Sequence, residues 1–118
     1  MASLEAYIGE PFVFQILYLD GTGAPFAPTS PNISVFRFDG TTGDKVAILT
    51  ALAMSAAVPV EVGRYVYRWT VDPTLLDGMV LYTEYRAIDP LSGDTLFALD
   101  TIQVHAFEAD DFLRARFV

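Results

Sequence analysis

Few groups in this sequence could do chemistry, and His105 comes first because it is the only imidazole. A Ser-His-Asp or Cys-His arrangement needs an imidazole within hydrogen-bond reach of a nucleophile. His105 falls at the end of the last apolar, alternating segment, no Gly-x-Ser-x-Gly elbow occurs, and the chain has no cysteine. One histidine without cysteine also falls short of the usual ligand set of a zinc site. His105 therefore reads as structural, and neither a catalytic site nor a metal or cofactor site is expected.

The carboxylates are the next candidates, since paired acids serve acid/base catalysis and loop oxygens bind calcium. Asp39 with Asp44, and Asp89 with Asp94, flank Gly-containing turns without the spacing of a calcium-loop signature. Aspartate at such positions has a conformational reason to be there, because its side chain bonds neighbouring amides. Gly21-Thr22-Gly23 runs into Ala24-Pro25 instead of a helix start, so it does not form a phosphate-cradling loop. Aromatic residues make up 14% of the chain, which raises sugar stacking as an alternative function. Tyr82 and Phe97 are the ring positions that alternation places outward. Tyr65, Tyr67 and Trp69 alternate on one strand face and are assigned to the core, since a small sandwich needs large inward side chains.

These residues must be positioned by short segments rich in Val, Ile, Phe, Tyr and Thr, separated by turns built on Gly, Pro and Asp. Strands are expected over residues 12–19, 33–38, 45–49, 63–71, 79–88 and 95–104, with edge strands near 4–8 and within 52–62. Residues 49–57 have helix propensity as well, and strand is preferred. The fold expected is all-β: a two-sheet antiparallel sandwich of about seven or eight strands, spanning residues 1–105, followed by a short C-terminal tail, 106–118. Its core is expected to include Phe14, Ile16, Val35, Tyr65, Tyr67, Trp69, Leu81, Tyr85 and Ile102. Residues 12–19 are apolar on both faces, so a loop, an edge strand or another subunit must cover one of them.

At 118 residues the chain supports one hydrophobic core and one domain. Hydrophobic residues are 53% and charged residues 19%, with mean hydropathy +0.37, far from the signature of disorder. No window approaches the roughly 20 apolar residues of a spanning helix, and residues 1–6 lack the basic start and apolar run of a signal peptide. A net charge of -8 repels phosphate backbones and anionic lipid. Neither nucleic acid nor membrane is expected as a partner. Six of the seven cations are arginine, a residue enriched at protein interfaces where lysine is depleted.

Gly9-Glu10-Pro11 before an apolar strand, Asp20-Gly21-x-Gly23-x-Pro25, and Ile33 through Gly40 together resemble the opening of small immunoglobulin-like domains in tailed-bacteriophage virions. Gly63-Arg64-Tyr65-Val66-Tyr67-Arg68-Trp69, then Asp77-Gly78 to Tyr85-Arg86-Ala87, resemble their second half. The resemblance implies an immunoglobulin-like sandwich mounted on a particle, made in the host cytoplasm and resident in the virion. Its expected role is a non-enzymatic capsid decoration (cement) protein, with a neck or tail component as one alternative and a module for host surface glycans as another. The capsid protein and other virion proteins are the expected partners, with self-association on the particle.

The tail carries Glu108, Asp110 and Asp111 early and Arg114 and Arg116 late, the order a helix dipole favours. Ala109, Phe112, Leu113 and Phe117 fall at helical spacing. A helix this short needs a surface to order it, and Phe107, Phe112, Leu113 and Phe117 are therefore expected to form a partner-binding arm.

Overall fold

The computed structural model describes residues 4–106. The expected C-terminal arm, with Phe107, Phe112, Leu113 and Phe117, lies outside the described residues. The described chain forms β1 (Leu4–Tyr7), β2 (Pro11–Leu17), β3 (Thr29–Phe38), β4 (Lys45–Ala53), β5 (Ser55–Ala56), β6 (Arg64–Thr70), β7 (Val80–Ile88) and β8 (Thr95–His105). The Ala-rich stretch after Leu49 is strand, as preferred, despite its helix propensity: β4 continues through Ala53 against β3. The edge strand expected within 52–62 shrinks to the two residues of β5, because Val58-Pro59-Val60 runs as loop.

The strands make a five-stranded sheet in the order β1-β8-β7-β3-β4 and a three-stranded sheet in the order β2-β6-β5. Phe14 of the smaller sheet joins Ile33, Val35, Leu81 and Ile102 of the larger one in a single buried cluster, a sandwich-like all-β architecture. Pairing is not antiparallel throughout. β1 lies parallel to β8, with Leu4 opposite Ile102 and Tyr7 opposite His105. The corner at residues 8–10 sends β2 into the opposite sheet, so the strand that β1 meets is β8, whose direction it shares. Backbone bonds from Ile8 N–H to the His105 carbonyl and from Gly9 N–H to the Val71 carbonyl, both 2.9 Å, tie that corner to both sheets.

Two hairpins of the larger sheet use one turn design, Asp-x-x-(Thr/Ser)-Gly-Asp. In the β3–β4 turn, Asp39 Oδ1 accepts from Thr41 N–H at 2.8 Å and Thr42 N–H at 3.0 Å. The β7–β8 turn repeats this with Asp89 Oδ1 and Leu91 N–H at 2.8 Å, and both close with the glycine N–H bonded to the first aspartate's carbonyl at 2.8 Å. These aspartates organise their own loops, as turn chemistry requires.

Of the expected core, Phe14, Val35, Leu81, Tyr85 and Ile102 are buried, while Ile16, Tyr65, Tyr67 and Trp69 are partly buried and packed against them. Trp69 reaches inward to stack on Phe14, ring centroids 5.9 Å apart. Its partial exposure follows from the narrowness of the smaller sheet, whose three strands leave central side chains near an edge. Burial, with the nearby Tyr65 charge as a lesser cause, pushes the Tyr18 phenol up to about 12. Burial, then Asp100 and Tyr18, pushes Tyr85 upward as well.

The tightest backbone approach is at buried Gly63, where φ is +83° and an added Cβ would lie 2.8 Å from the Tyr18 carbonyl oxygen and 2.9 Å from that of Phe26. Gly93 also has positive φ, +76°, but open space around it. Gly63→Ala should cost about 3 kcal/mol in urea unfolding, combining the left-handed penalty with overpacking against two carbonyls. Gly93→Ala should cost about 1 kcal/mol. Equal costs would contradict the close approach. In an alkaline titration followed by phenolate absorbance, Tyr18 and Tyr85 should ionise above the free-tyrosine value of about 10. Folded pKa values above the unfolded value of about 10 mean that their contribution to stability is complete below pH 10. For Tyr18 it is lost as the pH rises through about 12.

Candidate functional site

Strand parity divides β7 into an inward row, Leu81, Thr83, Tyr85 and Ala87, all buried, and an outward row, Val80, Tyr82, Glu84, Arg86 and Ile88. Register carries the outward row across the sheet. Tyr82 lies opposite Phe36 on β3, and on β8 Tyr82, Glu84 and Arg86 lie opposite Thr101, Leu99 and Phe97. This outer face carries large apolar residues that are exposed to solvent. Phe38 is 51% exposed, Phe97 53% and Leu99 52%.

An aromatic triad anchors one end of the face. Phe36 stacks on Tyr82 with centroids 5.6 Å apart, and Phe38 meets both rings edge-on at 5.5 and 5.3 Å, the geometry that ring quadrupoles favour. Lys45 Nζ sits 4.1 Å above the Phe36 ring and 3.5 Å from Glu84 Oε1. Arg86 covers the Phe97 ring at 5.2 Å and reaches Glu84 Oε2 at 3.4 Å. The Glu84 side chain is only 14% exposed, whereas those of Lys45 and Arg86 are 54% and 52% exposed. Two cations therefore meet solvent over a shielded carboxylate, and an acidic protein presents here a face that is aromatic and locally positive.

A second surface forms at one end of the molecule where the β2–β3 loop meets the β7–β8 turn. Tyr18 N–H bonds the Gly63 carbonyl at 2.9 Å, and a cavity of about 310 Å³ is lined by Leu19, Asp20 and Phe26 together with Asp89, Leu91 and Leu96. Two of its lining residues are apolar and exposed, Leu19 at 51% and Leu91 at 97%. Hydrogen bonds from Thr22, its hydroxyl first, hold the Asp20 carboxyl below the usual aspartate range. The carboxylate stays charged beside the cavity.

The residues weighed from sequence fall in different places. Tyr82 and Phe97 both occupy the outer face, as alternation places them, but Tyr82 is packed within the triad while Phe97 is open. His105 stacks on Tyr7 at 5.4 Å, and its Nε2 lies 3.4 Å from Glu5 Oε1, so it helps seat β1 on β8. Asp39 with Asp44 and Asp89 with Asp94 occupy the turns already described, at opposite ends of the sheet. Sequence reasoning missed Phe38, Lys45, Glu84, Arg86 and Leu99 as a cluster. The available signal was the outward parity they share with Tyr82 and Phe97, legible only once strand partners are known. It also missed the cavity that joins Leu19 and Asp20 to Asp89 and Leu91, which lie far apart in the chain. No protein-family model matches the chain, and no curated protein matches it.

The face should be separable from the fold. Phe97→Ser should change urea stability by no more than about 0.5 kcal/mol and weaken retention on a hydrophobic column, whereas Tyr82→Ser, which breaks two ring contacts, should cost about 2 kcal/mol. Comparable losses at both positions would place Phe97 in the core.

Proposed function

We propose that this chain is a non-enzymatic structural protein that works by docking, as a capsid decoration (cement) protein of a tailed-bacteriophage particle. The observation that carries the docking role is the outer face of the five-stranded sheet, where exposed Phe38, Phe97 and Leu99 lie beside Lys45 and Arg86. Contiguous apolar surface with aromatic and arginine residues is the composition of interface cores. The strand orders β1-β8-β7-β3-β4 and β2-β6-β5 support an immunoglobulin-like arrangement, in which successive strands are divided between two sheets. The virion setting rests on the sequence resemblance. A neck or tail component is the variant of this reading with fewer copies. In either setting the capsid protein or a neighbouring virion protein is the partner, and the apolar residues Phe107, Phe112, Leu113 and Phe117 add a second attachment.

A glycan-binding module is the second reading, favoured by the open rings of Phe38 and Phe97. Glycan-array binding lost on Phe97→Ala would select it.

Quantified gel bands from purified particles test the first reading. A decoration protein should approach the capsid protein in abundance, while a neck component should be present in roughly a dozen copies or fewer, as closed rings imply. Absence from particles would end both versions.

A further inference from the structure

We infer that the chain assembles with itself head to tail: the loop end of one copy docks on the outer face of the five-stranded sheet of the next. This deepens the docking role proposed above and rests on it, naming a second copy of this chain as an occupant of the face.

The two surfaces are complementary in both respects that decide association. Each is apolar and exposed, the face through Phe38, Phe97 and Leu99, the loop end through Leu19 and Leu91. Their charges are opposite. The face shows solvent the ammonium of Lys45 and the guanidinium of Arg86, with Glu84 shielded between them. The loop end carries Asp20 and Asp89 on the cavity and Asp94 in the same turn as Asp89. Two faces meeting symmetrically would bring four exposed cations together, and two loop ends would bring six aspartates together. Like charges at close quarters disfavour both arrangements. Face against loop end pairs apolar with apolar and cation with carboxylate. Such an interface is heterologous, leaving one free face and one free loop end, so it continues into a ring or a filament.

The experiment mixes two blocked variants of the full chain. Phe38→Glu with Phe97→Glu places carboxylates on the face; Leu19→Lys with Leu91→Lys places ammonium groups on the loop end. Circular dichroism melts check that each folds like the parent, and Phe97→Ser with Leu99→Ser replaces the face variant if it does not. In sedimentation, the parent should form a concentration-dependent series beyond the dimer, and added salt should shorten it. Each variant alone should associate at least about tenfold more weakly, equivalent to 1.4 kcal/mol. An equimolar mixture should give a one-to-one dimer that grows no further, because each variant keeps one working surface.

A parent that stays monomeric overturns the inference, as does a mixture that stays monomeric. A loop-end variant that still self-associates like the parent indicates a symmetric face-to-face dimer and also overturns it. A full chain with Phe112→Ser and Phe117→Ser should associate normally. If it does not, residues 107–118 cover the face, and the loop end does not. Every readout uses purified protein alone, so failure here is distinct from absence on particles, which would sink the virion reading by itself.

Discussion

Everything in this molecule depends on burying Phe14, Ile33, Val35, Leu81 and Ile102 between two sheets. With no cysteine in the chain, no covalent link joins the layers, and the stability of so small a domain comes from apolar area removed from water and from close packing. That burial sets strand register. Side chains alternate with period two, so a slip of one residue would bring the Leu81, Thr83, Tyr85 row to solvent and push Glu84 and Arg86 into the core. The cost of burying those charges holds the register where it is. The outer face is the other side of the same constraint: once the inward row is chosen, Tyr82, Glu84 and Arg86 must point out.

The turns then decide what the ends present. Gly63 lies against the carbonyls of Tyr18 and Phe26, a contact available only to glycine, and it ties the start of β6 to the β2–β3 loop. Asp39 and Asp89 stabilise equivalent hairpins at opposite ends of the larger sheet, yet only the second turn carries an exposed apolar residue, Leu91. β4 is an exposed edge, apolar after Lys45. Its pairing with β3 contains two register shifts, and Ala51 takes a positive φ of 47°. Irregularities of this kind blunt an edge against strand addition.

Charge distribution links the fold to the proposed role. The acidic exterior repels other acidic surfaces, while the outer face departs from it through Lys45 and Arg86, both lying over aromatic rings. Cations held above rings retain their charge and add to an apolar surface. An interface built on such a face combines burial with electrostatic selection: apolar area supplies attraction and the cations choose an acidic partner.

The sequence by itself determined the all-β class, most strand positions, the turn chemistry of Asp39 and Asp89, and much of the core. These follow from local rules: a two-residue period, the φ demands of Gly and Pro, and the amide-bonding habit of Asp. It also placed Tyr82 and Phe97 outward, since parity within one strand needs no partner. Tertiary structure alone decided that β1 runs parallel to β8, that β4 extends to Ala53, and that residues 57–62 are loop. It also decided that Phe36, Phe38, Lys45, Tyr82, Glu84, Arg86 and Phe97 form one surface. Those residues lie on four strands, and which strands become neighbours is set by how two sheets share a core, a property of the whole chain that no local window contains.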